Sequence, residues 1–438
     1  MKKLVVLASF AALAASVGAT ALPSASPPSF AAARDYRTGT SPHSVAIGDL
    51  NGDGNPDLAV ANFGGDTISV LLNRGHGIFR AKVDYRTGGL PQSIGIADLN
   101  GDGSMDVASA NYSRSNVSVL MNRGDGTFPA RVNYGTEGGA RSLAIGDLNG
   151  DGHSDLATAN TNDSISVLLN AGDGSFPTIV GYAAANSPQS IATADLDGDG
   201  DTDLATANVD DDTISLFLNR GDGSFQAKRD FGVGIRPSSV AIGDLNGDGK
   251  PDLTTANIFE RTVSVLLNRG GGNLGTSREY RTANDPWSIA IGDVNGDGKA
   301  DLAVAGGATS VSVLTGIGAG NFERGLDYRT GRGPSSVAIG DVNGDGKADL
   351  AIPNGRARSI SVLLNTPGLC TVQDVEGRRL PVAKRTLARA NCRVGKIRRA
   401  YSKWARRGRV ISQKPKRGTV LPGGGKVDLV VSRGKRPS

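Results

Sequence analysis

Seven short stretches of this 438-residue chain carry acidic and amide side chains at fixed intervals. The first, DLNGDGNPD, runs from Asp49 to Asp57. Side-chain oxygens fall at its first, third, fifth and ninth positions: Asp49, Asn51, Asp53 and Asp57. Asn55, at the seventh, offers its backbone carbonyl, and Gly54 at the sixth permits the sharp turn that brings these groups inward. Oxygen donors at this spacing suit a hard cation, and calcium takes about six to eight of them. Magnesium fits less well because it keeps several waters. A polar turn rich in Asp, Asn and Gly is the plain alternative. Such a turn does not need acidic residues at the same places seven times over.

The second copy places Asp98, Asn100, Asp102, Ser104 and Asp106 at these positions. The third has Asp147, Asn149, Asp151, His153 and Asp155, and the fourth Asp195, Asp197, Asp199, Asp201 and Asp203. Asp244, Asn246, Asp248, Lys250 and Asp252 follow in the fifth. The sixth has Asp293, Asn295, Asp297, Lys299 and Asp301, and the seventh Asp341, Asn343, Asp345, Lys347 and Asp349. The expected cofactor is therefore Ca²⁺, up to one ion per copy. An EF-hand is excluded: its twelfth position needs a bidentate Glu, and here stand Val60, Ser109 or Thr158.

The copies start 49, 49, 48, 49, 49 and 48 residues apart, so one structural unit is repeated. Each unit divides into four β segments, in the first Ser44–Gly48, Leu58–Asn62, Thr67–Leu72 and Phe79–Tyr85. The cation loop joins the first two. Seven units of four antiparallel strands predict a mainly β fold, a seven-bladed propeller. Ala33–Gly39 (ARDYRTG) matches the fourth strand of later units, whereas the last unit stops after its third strand, Ser359–Leu364. The N-terminal strand is expected to complete the seventh blade and close the ring.

These loops and their flanking strands, over about Ala31–Asn365, resemble FG-GAP/VCBS repeats, as in the propellers of integrin α subunits and bacterial surface proteins. The resemblance implies a seven-bladed propeller with calcium in loops between the first two strands of its blades. The sixth unit departs from the pattern at Ala305–Gly318, where AGGATSVSVLTGIG replaces the usual AN and LLNRG.

No catalytic motif competes with this reading. The three histidines, His43, His76 and His153, occupy variable repeat positions without a Ser or Cys nucleophile pattern nearby, and neither a phosphate loop nor zinc spacing is present. The chain is expected not to be an enzyme, with no catalytic residues. Arg123-Gly124-Asp125 and Arg220-Gly221-Asp222 spell an integrin-recognition triplet but sit where sister units have RGH, AGD and RGG, which marks them as turn chemistry.

Residues 1–21 read as a secretory signal: Lys2 and Lys3, an apolar run from Leu4, then Ala19-Thr20-Ala21 as a cleavage site. Residues 22–30 read as a Pro/Ser-rich linker, 31–366 as the propeller and 367–438 as a separate module. No transmembrane segment is expected in the mature chain. The last module carries 20 Lys and Arg against Asp374, Glu376 and Asp428, although the whole chain is only +5. The repeats are thus net acidic, and bound calcium would neutralise them.

In this tail, Thr371–Val375 reads as a strand and Pro381 as a helix start, with Ala383, Leu387 and Ala390 on one face. Val410–Gln413 and Lys426–Ser432 read as further strands. Val375–Ile397 and Val410–Gly434 resemble a PASTA domain, which implies a small α+β module able to bind peptidoglycan fragments. Cys370 and Cys392, the only cysteines, read most simply as a disulfide in an exported protein. A bridge over such a loop stabilises by about 3 kcal/mol. Arg393–Arg409 interleaves Tyr401 and Trp404 with many cations. Outside a membrane its expected partner is an anionic wall polymer, not nucleic acid.

The expected function is a secreted or cell-surface, non-enzymatic binding protein: a calcium-stabilised propeller held at the bacterial cell wall by its tail. The propeller's own partner is an unidentified protein or glycan. A lectin-like propeller is the alternative, with Tyr36, Tyr85, Tyr280 and Tyr328 as candidate sugar platforms, although packing between blades is the commoner role of such residues.

Overall fold

The computed structural model describes residues 27–366, 370–390, 392–421 and 425–436, apart from the side chains of 370, 371, 388 and 389. The expected leader, 1–21, lies outside them.

The first blade shows why the unit folds as it does. Strand β1 (Arg34–Arg37) precedes it, and β2 (Pro42–Gly48), β3 (Asp57–Asn62), β4 (Thr67–Leu71) and β5 (Val83–Arg86) form its antiparallel sheet in sequence order. Every residue of β3 is buried, as expected of an apolar run covered on both faces. Strand β5 lies at the rim and is mostly exposed. It is shorter than the sequence suggests. Phe79 is not part of it; instead the ring is buried (6% exposed) beneath the turn, bridging Asn73. Its apolar bulk belongs to the core between blades, so it leaves the rim.

Six such sheets follow one another from β2 to Arg329, including the sixth, whose third and fourth strands, Ser310–Leu314 and Leu326–Arg329, pair in regular register. The seventh sheet takes Ala338–Gly340, Asp349–Asn354 and Ser359–Leu363 from the C-terminal side and β1 from the N-terminal side. Tyr36 pairs with Ile360 and Arg34 with Val362. The first strand of each blade packs on that of the next, and Ala338–Gly340 packs back on β2. The ring is therefore closed.

The apolar cores lie between blades. Ala59, Ala61, Ile68 and Val70 of the first meet Ile94, Val107, Leu120 and Phe128 of the second. The seventh blade meets the first through Ile360 and Val362 against Val45, Leu58 and Val60. A single sheet cannot bury its own faces, so each blade requires its neighbours.

The described end of the stretch read as a linker, 27–30, reaches into the ring. Phe30 bridges Asn365 and meets Tyr328 edge to face, with centroids 4.8 Å apart. Phe30 thereby fills the position that Phe79 and its equivalents fill elsewhere.

In the tail a helix, Leu380–Arg389, and strands Cys392–Ala400, Val410–Lys414 and Gly425–Ser432 surround a small core. Ala383 and Leu387 are fully buried against Val427 and Leu429. The first expected strand is limited to Cys370–Thr371, paired with Val420–Leu421. The strand Cys392–Ala400, parallel to Gly425–Ser432, falls where the sequence shows mainly a basic run. Its charged side chains mask the β pattern.

Candidate metal centres

Each loop follows the last residue of an inner strand, so all seven lie on one face of the ring. In the first, the Asp49 carboxylate accepts the backbone N–H groups of Asn51, Asp53 and Gly54, the last at 2.8 Å. Asn51 Oδ1 accepts from Asp53 N, and Asp53 Oδ1 from Asn55 N. Gly52 and Gly54 both have positive φ, which lets the loop curl around these oxygens. The same bonds recur in the later copies, for example Gly152 N to Asp147 and Gly346 N to Asp341.

The ninth-position carboxylate is the rigid member. Asp57 is fully buried. Its Oδ2 accepts Leu50 N at 2.9 Å and its Oδ1 accepts Asn73 N at 2.6 Å. Each oxygen retains a further lone pair. Burial pushes this carboxyl up to about 6, reinforced by the charges of Asp53 and Asp49, while the two backbone donors pull it down. Asp203, Asp301 and Asp349 are likewise pushed to about 6 by burial, and Asp106, Asp155 and Asp252 are raised for the same reason. An anion raised by burial among like charges is stabilised by an adjacent cation.

The donor set fits a cation. In the fourth loop, carboxylate oxygens of Asp195, Asp197 and Asp203 lie within 4.8 Å of one another. Asp195, Asp197 (in the place of the usual Asn), Asp199 and Asp203 would supply side-chain oxygens there, with the carbonyl of Asp201 alongside. The loops are not equal. The fourth holds five Asp, the first three hold three each, and the last three add a Lys at the seventh position. Lys250 Nζ lies 3.9 Å from Asp248 and Lys299 Nζ 3.4 Å from Asp297.

Behind each loop, the Asn that closes the third strand ties it to the preceding blade. Asn122 Nδ2 donates to Leu50 O at 2.7 Å and Asn170 Nδ2 to Leu99 O at 2.8 Å. In the sixth blade Gly316 replaces this Asn and still donates its N–H to Asp301 at 2.7 Å. The altered sequence of that unit thus keeps the loop's cage while losing the side-chain tie.

The candidate sugar platforms are packing residues. Tyr36, Tyr85, Tyr134, Tyr182 and Tyr280 meet Phe79, Phe128, Phe176, Phe225 and Phe322 edge to face. Tyr36 also donates its hydroxyl to Gly77 O at 2.9 Å. The RGD triplets lie in turns: Asp125 accepts from Thr127 N at 3.0 Å, an Asx turn, and Arg220 Nη1 donates to Phe225 O. What the sequence reading passed over is the residue after the first position of each inner strand, which differs from blade to blade inside an otherwise repeated frame.

Six overlapping matches to the FG-GAP-like repeat cover 49–109, 98–158, 147–206, 196–255, 254–304 and 293–352. The chain belongs to the FG-GAP-like repeat family. A PASTA domain matches 371–433. This FG-GAP-repeat protein also resembles solved propellers. One is BBS1N in complex with ARL6DN, 13% identical with a TM-score of 0.55, covering 77% of this chain and 97% of that one. Another is a catalytically inactive variant of virginiamycin B lyase from Staphylococcus aureus with quinupristin, 15% identical with a TM-score of 0.52, covering 76% and 99%. At these identities the likeness concerns the fold. Among the described residues no helix is long and apolar enough to cross a membrane.

Proposed function

We propose that this FG-GAP-repeat protein is a secreted or surface-displayed, non-enzymatic binding protein. Calcium in its loops stabilises the propeller, and the PASTA domain holds it at the cell wall. The observation that carries this reading is a repeated acidic cage fused to a basic module. Each loop combines oxygen donors with a buried Asp raised by its surroundings, as at Asp57. A divalent ion satisfies both. The tail presents Trp404 at 94% exposure among Lys403, Arg406 and Arg407, beside Tyr401 under the Arg433 guanidinium. Clustered exposed cations attract an anionic glycopolymer.

Residues 1–21 serve as the leader, 31–366 as the displayed propeller and 367–438 as the anchor. Cys370 and Cys392 form a disulfide that pins the start of the anchor to its sheet. Cys392 is 4% exposed and no described cysteine is free, whereas the Cys370 side chain lies outside the described residues. Non-reducing peptide mapping should find the two cysteines in one peptide pair.

The deciding experiment is co-sedimentation with purified bacterial cell wall, comparing the full mature chain with Trp404→Ala and with a chain ending at Asn365. Sedimentation that survives high salt and needs the tail supports anchoring. Equal sedimentation of all three sinks it, and loss in salt reduces it to charge attraction.

A further inference from the structure

The face opposite the loops holds the mouth of the central channel, a cavity of about 440 Å³. That size falls within the range of about 300–1,000 Å³ usual for small-ligand sites. Its rim is built from the starts of the inner strands. In six of the seven, the register shifts between the first residue and the Ser two positions on, as between Pro42 and Ser44. The residue between them is bulged out of the ladder, a device that re-aims a side chain.

The repeat is near-uniform on both sides of this bulge, with Pro before it in every blade but the third, which has Ala140, and is broken at it. Ser follows in every blade, from Ser44 to Ser336, and all seven serines line the cavity. The bulged residues are His43, Gln92, Arg141, Gln189, Ser238 and Trp287, and Ser335 takes the corresponding place in the seventh blade. Seven copies of one frame thus present mostly different groups to one space. Packing positions of the same strands stay within Val, Ile and Leu, whereas these groups differ in charge, polarity and size, as a single asymmetric ligand requires.

These groups are held from blade to blade. His43 Nδ1 donates to Gln92 O at 2.8 Å, which leaves Nε2 as an acceptor on the neutral ring. Burial lowers the His43 pKa, so the ring is neutral. Arg141 Nη1 donates to Gln189 Oε1, and the guanidinium stands 5.8 Å from the Tyr112 centroid. Ser238 donates to Trp287 O at 3.0 Å, and Ser335 to Pro42 O at 3.0 Å. Two polar atoms on adjacent blades are buried without a partner: Gln92 Oε1 and Arg141 Nε. A buried polar atom left unpaired costs about 1–3 kcal/mol.

We propose that this funnel binds an anionic saccharide, a sugar ring that carries a carboxylate. The charge comes from Arg141 and Arg356, with no Asp or Glu among the described lining residues. Arg141 spends one Nη on Gln189, which fixes the guanidinium, and its other Nη is suited to a carboxylate. The ring platform comes from Trp287, 52% exposed at the rim and three blades from Arg141, on the other side of the channel. The hydroxyl partners are the serines. Ser93, Ser142 and Ser190 accept the backbone N–H of Leu143, Ile191 and Val240 in the next blade, which orients each hydroxyl hydrogen for donation. This site depends neither on metal in the loops nor on the tail.

The chain contains two tryptophans, Trp287 and Trp404. Trp404→Phe therefore leaves Trp287 as the sole reporter. In this full-length variant a uronic-acid trisaccharide should give a saturable change in tryptophan emission, and the neutral trisaccharide of the same linkage should not. Adding Arg141→Gln should weaken the response by about tenfold or more at an unchanged melting temperature. Ligand-observed NMR should show the same loss for Trp287→Ala, an independent check if Arg141→Gln folds poorly. Absence of a response, or equal responses to the acidic and neutral sugars, overturns the proposal. A peptide with a C-terminal carboxylate that binds more tightly than the uronate overturns the saccharide assignment.

Discussion

Asn73 donates its side-chain amide to the carbonyl of Val342 at 2.7 Å, across 269 residues of sequence. The same Nδ2 reaches Pro56 O at 2.8 Å, and the backbone N–H of Asn73 caps Asp57. One buried side chain thus links its own cation loop to that of the seventh blade, at the seam where the ring closes. Asn73→Ala should lower unfolding stability by about 1–3 kcal/mol, the usual effect of orphaning buried polar groups. Denaturant titration checks this, and an unchanged midpoint would mean that water replaces the amide.

Chelation should lower the melting temperature and expose the propeller to protease. The loops should fill in order of charge: the fourth first, the first three next, and the three Lys-bearing loops last. Dissociation constants on the order of 10⁻⁴–10⁻³ M are expected for extracellular modules. Calorimetric titration of Asp199→Asn should lose the tightest class of site. Retention of that class would show that carboxylate number does not set affinity.

Acidity should act on the metal-free protein in an unusual direction. Asp57, Asp203, Asp301 and Asp349 titrate near 6 in the fold, above the ordinary carboxylate value near 3.8. Between these values the folded state binds more protons than the unfolded one, so stability falls as pH rises through this window. Without calcium, melting at pH 5 should therefore exceed melting at pH 7. Saturating calcium should narrow or reverse that difference by favouring the ionised carboxylates. A metal-free melt that rises steadily from pH 5 to 7 would contradict this picture.

Removal of residues up to Arg37 should open the ring. The seventh blade would keep three strands, and Ser359–Leu363 would become an unpaired edge against which Tyr36 and Arg34 now lie. Limited proteolysis should then cut first within 338–363, and light scattering should report association. The same truncation also removes Phe30, whose ring seals Tyr328.

Much of this was legible in the sequence because the repeat is regular. The period of 48 or 49 residues, the spacing of oxygens within each loop and the displaced DYRTG strand together specify blade number, the place of each acidic loop and closure. Errors arose where side-chain chemistry hides backbone role. Phe79 and Phe30 look like strand and linker residues but are plugs between blades, and the arginines of Cys392–Ala400 conceal a strand. The tyrosines weighed as sugar platforms carry their rings against those plugs, the packing role that the sequence favoured for them.

The sequence alone determined the unit, its copy number and the spacing of acidic and amide side chains in each loop, because these depend on residue types at short, fixed separations. Only the tertiary structure decided that the donors are caged from behind by Asn73 and its equivalents, and that seven variable residues some 49 positions apart share one cavity. Closing the ring brings corresponding points of distant blades together, and no local pattern records which of them will face the same space.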